Sequence, residues 1–332
     1  MKESSAGIIL LSVLGILVTS IITSGCKKTE NPIKFPKGTF PDSTMNLSDI
    51  NSQFDDINTF LYGNSLFIFS TNRESAGGQF DLAQGAMTIS FDQCTGVFGL
   101  GVEIANNPFL TKLINAAKTD GDDFGPYQLF STVDGYEYLL LSSTNNSGNL
   151  DFNFLRHQPV FGNNLPGISG PYPVKLLNTS ADDAYICFDT NVDTAYFSSN
   201  VSGNFEIYLK SIPADLPVDA WFNQDYSASA KADSINSTGD DKCPFVLKKI
   251  MVFTSDRPGG IGGFDLYYSV FRHGKWSSPV NFGPDINTSS DEYRPVLGWN
   301  QDFTNNMMIF SSNRPGGKGG YDLYFRGVSF PE

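Results

Sequence analysis

The stretch Phe310-Ser-Ser-Asn-Arg-Pro-Gly-Gly-Lys-Gly-Gly-Tyr-Asp-Leu-Tyr-Phe325 decides how this sequence is read. It is nearly repeated as Phe253-Thr-Ser-Asp-Arg-Pro-Gly-Gly-Ile-Gly-Gly-Phe-Asp-Leu-Tyr-Tyr268. Shorter relatives of the phrase begin at Phe197, Leu141 and Phe69. The spacings between the five anchors are 72, 56, 56 and 57 residues. A second marker, an acidic pair, precedes each anchor: Asp55-Asp56, Asp122-Asp123, Asp182-Asp183, Asp240-Asp241 and Asp291-Glu292. Two markers in constant order, five times over, mean an array of supersecondary units.

The local physics identifies the unit. Met307-Met-Ile-Phe-Ser and Ile250-Met-Val-Phe-Thr are apolar runs of strand length. Pro-Gly-Gly-x-Gly-Gly frees the backbone for positive φ and makes a turn. Asp-Leu-Tyr-Phe then alternates again, so the phrase is a hairpin. Trp276–Phe282 adds a strand before the next acidic pair, giving four strands per unit. The one expected helix is Phe109–Lys118, and its insertion accounts for the 72-residue spacing. Four-stranded units repeated around a circle form a β-propeller. The expected fold is therefore all-β, a five-bladed propeller of four-stranded antiparallel blades. The fifth unit lacks its fourth strand, and Ile33–Phe40 is expected to supply it from the N-terminal side, because an open blade would leave an unpaired edge.

Composition narrows the function classes. Asp+Glu number 35 against 22 Lys+Arg, so no basic surface is available for nucleic acid. Two histidines exclude a His-rich metal centre. Gly7–Ile22 is an apolar run of signal-peptide length, short of a membrane span. It ends at Thr23-Ser24-Gly25-Cys26, which resembles a bacterial lipobox. That resemblance implies a signal peptide over 1–25, lipid on Cys26, a tether over 26–32 and a single propeller domain over 33–332. An uncleaved anchor with an incidental cysteine is the other reading. Lys27 and Lys28 follow the cysteine, with neither the aspartate of inner-membrane retention nor an acidic surface signal. The expected location is thus the outer membrane, lipid-anchored, with the periplasmic side favoured over the cell surface. Cys94, Cys187 and Cys243 allow one disulfide with one thiol or three buried thiols, and buried thiols are preferred.

The repeated phrase resembles the TolB-type (WD-repeat-like) β-propeller repeat, over about residues 33–332 and most closely in the last two units. The resemblance implies a non-catalytic docking scaffold in an envelope complex for secretion, outer-membrane assembly or cell-wall linkage. Its partners would be envelope or outer-membrane proteins. The alternative is a glycan-binding lipoprotein of a polysaccharide-uptake system, which requires exposed aromatics around one mouth; a glycoside hydrolase stands behind it.

Candidate chemistry is sparse. The glycine loops lead into strands and not a helix N-terminus, which argues against phosphate binding. Asp265 and Asp322 fall one place too late for the calcium-binding nonapeptide, whose period is also missing. The acidic pairs are expected to satisfy turn donors. Their functional alternative is a cation or partner site at one channel mouth, from Asp120, Asp122, Asp123, Asp182, Asp183, Asp240, Asp241, Asp291 and Glu292. Calcium is the cation such oxygens would take; no other metal or cofactor is expected. No enzyme is expected, because catalytic residues should break the repeat. Glu103, Asp134 and Glu137 do so without a recognisable motif, as do His157 and His273.

Overall fold

The structure, a computed structural model, describes residues 33–63, 65–160 and 164–331. Cys26 and the leader and tether segments lie outside the described residues. Five antiparallel sheets follow one another along the chain and form five blades. The innermost strands are Asp56–Tyr62, Asp123–Phe130, Asp183–Phe188, Asp241–Leu247 and Glu292–Gly298 in blades 1 to 5. The second strands carry the repeated anchors: Leu66–Thr71, Glu137–Thr144, Thr194–Ser199, Ile250–Ser255 and Asn306–Ser312. Both faces of these strands are buried between neighbouring blades. This is why they read as unbroken apolar runs such as Phe67-Ile68-Phe69, all fully buried.

Each innermost strand starts with the second acid of its pair and then breaks register at one bulge. The bulged residue has positive φ in every blade: Asn58, Gly125, Tyr185, Cys243 and Arg294. Only Gly125 adopts this conformation without steric cost. The bulge turns a backbone N–H toward the preceding blade. Asn58, Tyr185, Cys243 and Arg294 donate to Ser311, Ser142, Ser198 and Thr254 over 3.0–3.2 Å. The first hydroxyl of the repeated phrase is therefore an inter-blade acceptor.

The ring closes inside blade 5, through a strand other than the expected one. Met45–Asn46 pairs antiparallel with Tyr324-Phe325 of Asp322–Val328. Ile33–Phe40 runs instead along the rim, bridging Gly38 to Phe303 and stacking Phe40 on Phe303 at 3.8 Å. The correction has a plain cause. Asn46 donates to Asp322 as Asn281 donates to Asp265, and Asn51 accepts from Leu323 N–H as Asn287 accepts from Leu266. With Asp55 as the counterpart of Asp291, the matching strand lies nearer the acidic pair than Ile33–Phe40 does.

The expected helix is present at Pro108–Ala117, capped by Asn107 and buried through Phe109, Leu110 and Leu113. A second, short helix at Val218–Phe222 was not foreseen; it buries Trp221 and Phe222. Cys187 and Cys243 are buried free thiols as expected. Cys94 is disulfide-bonded, against the expectation of a thiol.

Candidate functional site

The two ends of the inner strands differ. At the end where these strands begin, the acidic pairs form one stitched ring. The first acid of each pair accepts an N–H from the third strand's approach in the preceding blade. Tyr321 donates to Asp55, Phe80 to Asp122, Leu150 to Asp182, Phe205 to Asp240 and Phe264 to Asp291, all at 2.8–2.9 Å. The second acid is fully buried and caps its own loop. Ser52, Thr119, Thr179, Ser237 and Thr288 donate backbone N–H groups to Asp56, Asp123, Asp183, Asp241 and Glu292. Asp120 lies exposed beside this ring. Among the described residues, no three His, Cys, Asp or Glu side chains converge where they could hold a metal ion.

In blades 1, 4 and 5 the buried acid also carries an arginine. Arg73 pairs with Asp56, Arg257 with Asp241 and Arg314 with Glu292, at 2.5, 2.5 and 3.0 Å. Blades 2 and 3 have Asn145 and Val201 in that place. Burial pushes the Asp183 carboxyl up to about 6 and raises Asp123 and Glu292 above the usual carboxylate range.

The channel beyond the ring is filled. Tyr185 and Tyr293 meet across it at 5.9 Å, and Phe60, Tyr127 and Phe245 close it below. Between these layers Arg294 is fully buried over the Tyr185 ring, donating through Nη2 to the Pro126 carbonyl at 3.2 Å. Burial holds Cys187 up to about 12 and Cys243 up to about 11, so both remain thiols and neither is an activated nucleophile. His157 is buried against Phe109, with Nδ1 on the Gln158 carbonyl and Nε2 3.6 Å from Glu137. His273 occupies a positive-φ turn position.

The open site lies at the opposite end, where the inner strands finish. A cleft of about 710 Å³ runs between blades 4, 5 and 1. Phe60, Met87, Phe245 and Leu297 form its buried apolar base. Thr88, Trp299, Asn300, Gln301 and Asp302 add aromatic and hydrogen-bonding groups above that base. The Trp299 indole is 55% exposed, with the Lys248 ammonium 4.8 Å from its ring centroid. Sequence reasoning passed over these residues: Trp299 directly follows the apolar strand Glu292–Gly298, and nothing local marks the loop 299–305 as a site.

No protein-family model and no curated protein sequence matches the chain. Solved structures do. The fold is similar to an endo-arabinase from Bacteroides thetaiotaomicron, with 11% identity, a TM-score of 0.53, and coverage of 87% of this chain and 98% of that one. It is similar to an exo-β-1,3-galactanase from Clostridium thermocellum, with 12% identity, a TM-score of 0.53 and coverage of 87% and 63%. It is also similar to an exo-β-1,3-galactanase from Phanerochaete chrysosporium, with 15% identity, a TM-score of 0.50 and coverage of 88% and 65%. At these identities the likeness is one of fold. It corrects two expectations. The similar structures are glycoside hydrolase propellers and not TolB-type scaffolds, so neither the non-catalytic docking role nor the exclusion of an enzyme stands. Both rested on the repeated phrase, whose residues serve to join blades.

Proposed function

We propose that this chain acts on a neutral glycan held along the Trp299 cleft, in the manner of the glycoside hydrolases whose fold it shares. The observation that carries the reading is the cleft itself. An exposed indole beside amide and carboxyl groups, over an apolar base, is what a sugar ring requires: a flat apolar face to stack on and paired donors and acceptors for its hydroxyls. The net charge of −13 favours an uncharged polymer over an acidic one. Hydrolysis needs carboxyl groups placed about the glycosidic bond. Among the described residues lining the cleft, Asp302 supplies one such group.

Arabinan and β-1,3-galactan, the polymers named by the similar enzymes, are the first to test. Affinity electrophoresis and release of reducing ends would be measured on one protein preparation. Trp299→Ala is expected to weaken binding at least about tenfold, the loss of roughly 1.4 kcal/mol of stacking. Asp302→Asn is expected to remove reducing-end release while polymer binding persists. Unchanged binding in Trp299→Ala would overturn the assignment of the cleft.

A further inference from the structure

In blades 1, 4 and 5 one arrangement recurs. A guanidinium lies over the anchor aromatic, with its carbon 5.1–5.3 Å from the ring centroid of Phe69, Phe253 or Phe310. Its Nε donates to the second hydroxyl of the phrase, on Thr71, Ser255 or Ser312. Its Nη2 donates both to a backbone carbonyl, of Ile50, Ile235 or Ile286, and to the buried carboxylate. Four residues therefore define a guanidinium receptor, joined in blades 4 and 5 by a second ring, Tyr267 or Tyr324, 4.7 or 4.9 Å from the guanidinium carbon, and three blades fill it with their own arginine.

Blade 3 keeps the receptor and lacks the guanidinium. Leu177, Asp183, Phe197, Ser199 and Tyr208 stand in the receiving positions, with Val201 where the arginine would begin. These residues line a pocket of about 140 Å³, several times the ~30 Å³ share of a water molecule. Asp183 is fully buried, and its Oδ1 has no hydrogen-bond partner. Nearby cations are committed elsewhere: Lys210 to Ser227 and Ala228, Lys231 to Glu206. Blade 2 also lacks the arginine but leaves no such vacancy, because Thr119 and Ser143 both donate hydroxyls to Asp123 Oδ1. Tyr226, 52% exposed, also lines the blade 3 pocket, adding a second aromatic surface.

We propose that the blade 3 pocket binds a guanidinium group from outside the chain, forked onto Asp183 and laid over Phe197 and Tyr208. A planar fork of donors suits a carboxylate beside a hydroxyl and a carbonyl, whereas an ammonium offers a point charge. A free guanidino compound and the side chain of an arginine present the same chemistry.

Calorimetric titration with methylguanidinium and with N-acetyl-arginine amide tests the proposal and separates the two sources. Binding of both admits an arginine side chain; binding of methylguanidinium alone restricts the pocket to small guanidino compounds. N-acetyl-lysine amide is expected to bind at least about tenfold more weakly than the tightest guanidinium probe. Val201→Arg, which returns an arginine to blade 3, is expected to abolish guanidinium binding. Asp183→Asn, which keeps the side chain's shape, is expected to weaken it at least about tenfold and serves if Val201→Arg does not fold. No binding of either guanidinium probe to the wild-type protein, or undiminished binding in a folded variant, overturns the proposal.

Discussion

Where the inner strands begin, five blades present nearly the same residues doing the same work: a carboxylate taking an N–H from the blade before it, a second carboxylate capping its loop and, at four of the five junctions, a hydroxyl catching the bulge. Where those strands finish, no two blades agree. The linking loops range from the two residues Lys248-Lys249 to the seven of 299–305, and the cleft forms beside the longest of them. Repetition in this molecule therefore marks what holds blades together. Departure from it marks where a ligand has room. The vacant receptor of blade 3 obeys the same logic within the repetitive end, being a repeat with one member withdrawn.

That contrast can be broken by mutation. The largest effect is expected from Arg257→Ala in blade 4, which leaves the fully buried Asp241 without its cation. Breaking such a pair should cost about 3 kcal/mol in denaturant unfolding while glycan binding at the far cleft is unchanged. If binding falls with stability, the two ends are not independent.

Asp183 gives the next effect, and its sign follows from its direction. Its carboxyl titrates near 6 in the fold and near 3.8 unfolded, so the native state holds the proton more tightly. The associated stability is present below about pH 4 and is lost as pH rises through about 6. Relative to Asp183→Asn, the wild-type protein should lose up to about 3 kcal/mol between pH 4 and pH 7. Parallel stability curves for the two proteins would show that the carboxyl is not held protonated. The smallest effect is reserved for the cleft. Trp299→Ala should change stability by less than about 0.5 kcal/mol, because its indole is already exposed.

The repetitive end was legible because the same hydrogen bonds demand the same residues five times. The Asp-Asp pairs, Ser-Ser-Asn-Arg and Asp-Leu-Tyr all carry bonds between or within blades. One further signal was present and passed over. An asparagine and a Ser or Thr precede most acidic pairs: Asn51-Ser52, Asn178-Thr179, Asn236-Ser237 and Asn287-Thr288. Counting back from it, as from Asn287 to Val280–Asn281, would have placed the closing strand around Met45–Asn46. The cleft was not legible for a physical reason. Phe60, Met87, Phe245 and Trp299 are brought together only by closing the circle, and no periodicity records that meeting. The vacancy in blade 3 was visible as Val201 in an arginine's place, but its meaning needs the bonds made by the other three arginines.

The pairing of Met45–Asn46 with Tyr324-Phe325 has a consequence in time. The earliest strand of the ring must wait for the latest, because 276 residues separate Asn46 from the Asp322 carboxylate it binds. At ~5–20 residues per second, translation leaves that interval open for roughly a quarter of a minute to a minute. Throughout it the growing protein is an arc with two sticky ends, each offering sheet edge to whatever lies nearby. The last blade is thus both clasp and clock: until it is made, neither the cleft beside Trp299 nor the ring around Arg294 exists.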